Sequence, residues 1–94
     1  MSGGAFDHKQ YYLGYIADSI EQEIVNSGKP RDHRESWEDA NFYEYPEEVI
    51  SKFKDAVQAI RIAQVYANRV DWLISGDDGI ESFLQRLNDD LEKL

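Results

Sequence analysis

The sequence contains no cysteine, so no disulfide can staple it, which fits a reducing compartment. Two histidines without cysteine cannot close a structural zinc site from nitrogen and sulfur ligands. No apolar run approaches the ~20 residues of a membrane span, and the opening residues lack the apolar stretch of a secretory signal. The expected location is therefore cytoplasmic, with no membrane partner. Basic residues are scarce: 10 Lys and Arg stand against 19 Asp and Glu, a net charge of −9. A polyanion is normally held by a basic patch, so direct nucleic-acid binding is not expected.

Ninety-four residues make one domain. A chain this short buries only about 60–65% of its unfolded surface and needs further stabilisation. With disulfides and structural metal set aside, self-association remains, and a homo-oligomer is expected.

Leu13, Ile16, Ala17, Ile20 and Ile24 recur at spacings of three and four, which predicts a helix over 9–26. Asp7 is the expected N-cap, and Gly28 before Lys29-Pro30 is a stop signal. Residues 29–46 hold no sustained period. Basic residues come first and acids follow, with Trp37, Phe42, Tyr43 and Tyr45 among them. Four aromatics argue for an ordered loop laid over the core or a partner. Pro46-Glu47-Glu48 opens a helix over 47–75, where Ile50, Phe53, Val57, Ile60, Ala63, Ala67, Val70 and Ile74 keep the helical period. It would be about 42 Å long, whereas a compact chain of this size is only about 30 Å across. It must kink or project onto another copy, and Ala56, Ala59, Ala63 and Ala67 permit close approach. SGDDG is read as a turn, with Asp77 or Asp78 capping a final helix over 78–94 that carries Phe83, Leu84, Leu87, Leu91 and Leu94 on one face. No strand pattern occurs. The expected fold is an all-α three-helix bundle with a long central helix, preceded by an N-terminal loop over 1–8.

No stretch carries a hydrolase elbow, a zinc-protease motif or a Cys–His pair, and neither His8 nor His33 has an orienting acid at motif spacing. The protein is read as a non-enzyme without cofactor, metal or catalytic residues. The opening SGGAF is more informative. Gly3 and Gly4 let backbone amides converge just before a helix, an arrangement suited to a phosphate or carboxylate. Lys9 adds a cation, Phe6, Tyr11 and Tyr12 offer rings on which a base could stack, and His8 is counted with them among the expected ligand-binding residues. The alternative is a plain, unstructured start. Lys54, Gln58, Arg61, Asn68 and Arg69 form a basic and amide strip on the long helix. It reads either as a solvated face with intrahelical pairs or as a contact for an anion or a neighbouring acidic loop. Trp37 and Trp72 are read as core or interface anchors.

The segments MSGGAFDHKQ and WLISGDDGIESF resemble those of a group of short bacteriophage proteins. The short helical chain, with a tyrosine near the start of its first helix and a long second helix, also resembles the phage anti-CBASS sponges. Those proteins sequester cyclic oligonucleotide signals of bacterial immunity. The resemblance implies a hexamer that holds small anionic nucleotide ligands between subunits by stacking and cationic side chains. It places Tyr11 at the stacking position and Lys29 and Arg69 at cationic ones, with Asn26 where a lysine would be expected. The reading that follows is a phage-encoded protein sequestering a nucleotide immune signal in the host cytoplasm. The alternatives are an acidic inhibitor mimicking nucleic acid through Glu44, Glu47, Glu48, Asp77 and Asp78, or a self-associating structural protein.

Overall fold

A computed structural model of the chain describes residues 4–30 and 41–94. Three helices follow in order: α1 (Tyr11–Asn26), α2 (Glu47–Ile74) and α3 (Ile80–Glu92). The fold is all-α, with the long central helix expected from the period. That helix runs unbroken for 28 residues and projects, so the molecule extends to 54 Å by 26 Å by 15 Å. Its radius of gyration of 17.9 Å exceeds the roughly 12 Å of a compact chain of this length. Among the described residues α1 and α3 each pack along α2 and not on each other.

Several boundaries differ from expectation for identifiable reasons. Asp7 does not cap α1. It and His8 adopt the left-handed conformation (φ 53° and 60°), which is costly for side chains with a Cβ. The regular helix starts two residues later than expected, at Tyr11, although Tyr11 and Tyr12 already donate backbone bonds to His8 and Lys9. Gly28 (φ 72°) reverses the chain after α1 as its stop signal implies. Neither Asp77 nor Asp78 caps α3; Gly79 holds that position without a side-chain bond. Asp78 instead turns inward to arginines.

Of the 29–46 loop, only its two ends lie within the described residues, and Trp37 and His33 lie outside them. The ends meet as an isolated antiparallel bridge between Pro30 and Asn41. The Phe42 amide donates to the Lys29 carbonyl (2.9 Å), and the Tyr45 amide to Ser27 Oγ (2.9 Å). The Tyr45 ring meets Phe53 edge-on at 4.9 Å and carries Tyr43 at the same spacing. This part of the loop is laid over the start of α2 by its aromatics.

The basic strip on α2 divides: Lys54 and Gln58 stay exposed, while its arginines are drawn to the flanking helices. Arg61 reaches across to Asp18 and Glu21 of α1. These hydrogen bonds raise its pKa above the ordinary arginine value. Arg69 donates Nε–H to Asp90 Oδ2 of α3 (2.6 Å) and lies 3.8 Å from Asp78, which also accepts from Arg86 at 2.6 Å. Each long side chain staples a flanking helix to the central one.

Burial inverts the usual order. Ala17 is the one fully buried apolar residue among those described, whereas Gln10, Asp71 and Asp78 are buried polar ones. The Asp78 side chain is only 1% exposed, and that of Arg69 16%. Arg69→Ala would leave two acids short of a partner, one of them buried, at an expected loss of about 2–4 kcal/mol. Arg61→Ala removes pairs open to solvent and should cost about 0.5 kcal/mol. Denaturant titration of the two variants side by side checks this ordering, and equal losses would refute it.

Candidate functional site

The opening segment folds back onto the end of α2. The Gly4 amide donates to Ser75 Oγ (3.2 Å). The Ala5 amide donates to Asp71 Oδ1 at 2.7 Å and lies 3.2 Å from Ser75 Oγ. Ser75 Oγ in turn donates to Asp71 Oδ1 (3.3 Å). On the other side of the carboxylate, Gln10 Nε2 donates to Asp71 Oδ2 (2.8 Å) and to Asn68 Oδ1 (3.3 Å). Of the amides of the glycine-rich opening, that of Ala5 donates to an anion, whereas that of Gly4 goes to a neutral hydroxyl. That anion is the chain's own Asp71, fully buried on α2.

Burial by itself would raise the Asp71 pKa. The bonds from Gln10, Ala5 and Ser75, with the nearby charge of His8, outweigh it and hold the carboxyl below its ordinary value. In this way the segment is latched in its charged form. The latch also holds Asp7 and His8 in their strained conformations, which persist only where the surroundings dictate them.

The latch presents an aromatic edge. The His8 and Tyr11 rings lie 6.1 Å apart and nearly parallel (22°), while Tyr12 and Tyr15 meet at 6.1 Å and 63°. Phe6, Tyr11, Tyr12 and Tyr15 are all exposed, as is Lys9. The structure thus brings together Phe6, His8, Lys9, Tyr11 and Tyr12 and adds Tyr15, four residues beyond Tyr11. Its spacing on the helix could have flagged it. Asp71 was also missed, although an acid on the side of α2 that holds Gln64 and Asn68 is a usable signal.

Other candidates do not join this group within one copy. Gly3 lies outside the described residues. The Gly4 amide is taken by Ser75. Lys29 is exposed beyond the far end of α1, about 24 Å from Tyr11 along that helix. Arg69 is committed to Asp90 and Asp78, with its guanidinium 5.2 Å from the centre of the Trp72 ring. At the end of α1 remote from the tyrosines, Glu21, Ile24, Val25, Lys54 and Val57 line an open groove of about 330 Å³. Among the described residues no three His, Asp or Glu side chains lie together as a metal site. No family model, curated protein or solved structure matches the chain.

Because the Asp71 carboxyl titrates lower in the fold than in the unfolded chain, its stabilising effect is complete above the unfolded carboxylate range. It fades as pH falls through the lowered native value. Slow amide exchange at Ala5 should therefore hold at neutral pH and be lost on acidification below about pH 4, before α2 melts. Asp71→Asn should lose it at every pH. Protection of Ala5 in that variant would show that the carboxylate is not the anchor.

Proposed function

We propose that the chain is a non-enzymatic binding protein that sequesters a small anionic nucleotide on its aromatic edge and works as a homo-oligomer. The observation that carries this reading is the set of exposed rings over Tyr11, Tyr12 and Tyr15, with His8 stacked on Tyr11 and Lys9 beside them. Stacking on a nucleobase needs only an accessible ring plane, and every base has a face to offer. Catalysis needs a convergent, water-excluding site, which an open helix edge does not supply. The latch at Asp71 holds the edge in place before a ligand arrives, so little ordering is left to binding.

The bonds of the Gly4 and Ala5 amides to Ser75 and Asp71 give them a supporting role, not a phosphate-binding one. Lys9 is the cation at hand. Lys29 can reach the tyrosines only from another copy, in keeping with ligands held between subunits as the sponge resemblance implies. That resemblance also supplies the ligand class, a cyclic oligonucleotide or related immune signal, and the phage setting in which removing it would blunt host defence. The acidic-inhibitor reading draws less support, because Asp78 faces inward to Arg86 and Arg69 and does not add to an outer acidic surface.

Melting the protein against cyclic di- and trinucleotides tests the proposal. A true ligand at about a hundred times its Kd adds ~2.7 kcal/mol, a shift of roughly 10–20 °C in a domain this small. Tyr11→Ala should weaken binding by about 5- to 150-fold, the range for one lost base stack, without lowering the melting temperature of the free protein by more than a few degrees. The absence of a shift with any such nucleotide would refute the ligand class. A full shift in Tyr11→Ala would refute the site.

A further inference from the structure

Two consecutive residues of the opening segment, Asp7 and His8, hold a left-handed backbone (φ 53° and 60°). Elsewhere among the described residues a positive φ falls on glycine, at Gly28 (72°) and Gly76 (83°), where no Cβ opposes it. The opening does contain glycines, Gly3 and Gly4, but they precede the turn. Asp and His enter the left-handed region as single residues, and two in succession are costly. A sequence suited to this turn would place glycine at 7 or 8. The residues that stand there favour an extended backbone, so local preference and the observed path disagree.

That path is a fold-back. Ala5 gives its amide and Gln10 its side chain to the same Asp71 carboxylate, at 2.7 and 2.8 Å. The stretch between them closes through two backbone bonds, Asp7 N–H to the Gly4 carbonyl (3.3 Å) and Lys9 N–H to the Phe6 carbonyl (3.0 Å). With Asp7 and His8 extended instead, the steps from Ala5 to Gln10 would span up to about 17 Å. Gln10, at the start of α1, would keep its bond to Asp71, and Ala5 would swing clear of it. The carboxylate would still require a backbone donor, and the Ala5 of a second copy supplies an identical one. Besides His8, residues 4–10 carry one acid and one cation, Asp7 and Lys9. Two such stretches therefore meet without the repulsion that a net charge of −9 brings to the chain as a whole.

We propose that two copies of this chain exchange their opening segments about a two-fold axis, with Asp7 and His8 as the hinge. The Gly4 and Ala5 amides of each copy then bond Ser75 and Asp71 of the other. Exchange of an identical element keeps the bonds to the anchor and relieves the hinge in both chains, which offsets the cost of association. Each aromatic edge is built from two chains, Tyr11, Tyr12 and Tyr15 of one with Phe6 of the other. The contact runs through the opening segments and asks nothing of the rings of Tyr12 and Tyr15, which stay open. It deepens the homo-oligomer reading, and rests on the nucleotide reading only for the use made of the edge.

The exchange needs no ligand and is measured without one, so its failure and that of the nucleotide reading are separable. Sedimentation velocity of the ligand-free chain at about 100 µM should give a species near 22 kDa, twice 10.9 kDa. Any other mass overturns the two-fold exchange. Asp7→Gly combined with His8→Gly removes the strain of the fold-back and should raise the dissociation constant of the pair at least about ten-fold. An unchanged or tighter pair overturns the proposal. Because the chain has no cysteine, Ala5→Cys combined with Ser75→Cys gives a clean cross-link between the two positions. When isotope-labelled and unlabelled copies of that variant are refolded together and oxidised, disulfides should join labelled to unlabelled peptides. Disulfides confined to single chains overturn the exchange, even in a chain that assembles by some other contact. Should the cysteine variant lose its helical circular dichroism, the glycine variant decides.

Discussion

A carboxylate without access to water is tolerable only when donors surround it. Asp71 imposes that requirement on one end of this molecule. Its two oxygens take the Ala5 amide, the Ser75 hydroxyl and the Gln10 amide group, and meeting them fixes the path of the opening segment. The strained turn at Asp7 and His8, the start of α1 and the setting of Tyr11 all follow from that anchor. A second buried acid, Asp78, plays the matching part at the α2–α3 joint through Arg69 and Arg86. With Ala17 the only fully buried apolar residue described, helix placement rests on polar knots to an unusual degree. Such knots are sensitive to the loss of any member, because what remains is a buried group without its partner.

The helices were legible because period, proline and glycine speak directly about the backbone. The long run over 47–75 differs by one residue from α2, and Gly28 stops α1 where its position suggests. Caps were harder to read, because a carboxylate beside a helix start has competing uses. Asp78 could bond the first turn of α3 or an arginine, and only the approach of Arg69 and Arg86 decides. The basic strip posed the same difficulty: its spacing places charges on one side of α2 but says nothing of the helices that come to meet them.

The candidate site was half legible. Composition drew attention to the opening segment, and one of its amides, that of Ala5, does meet an anion. The identity of the anion was hidden because it depends on a pairing 66 residues apart. The gathering of His8, Lys9, Tyr11 and Tyr12 is local and could be read from spacing alone. Lys29 and Arg69 were brought in by resemblance, and the fold sends one to the far end of α1 and the other into the α3 joint. The rings of Tyr11, Tyr12 and Tyr15 form an open edge on an acidic body.

The central helix has a mechanical consequence. Among the described residues α1 and α3 touch α2 and not each other, so the two flanking helices share only that spine. Each can detach without disturbing the other, so the single chain behaves as two weakly coupled foldons and not as one all-or-none unit. The α3 hairpin, 13 helical residues held by the Arg69 and Arg86 clasp, is the smaller of the two. Loss of either flank alone would therefore leave the other in place on α2.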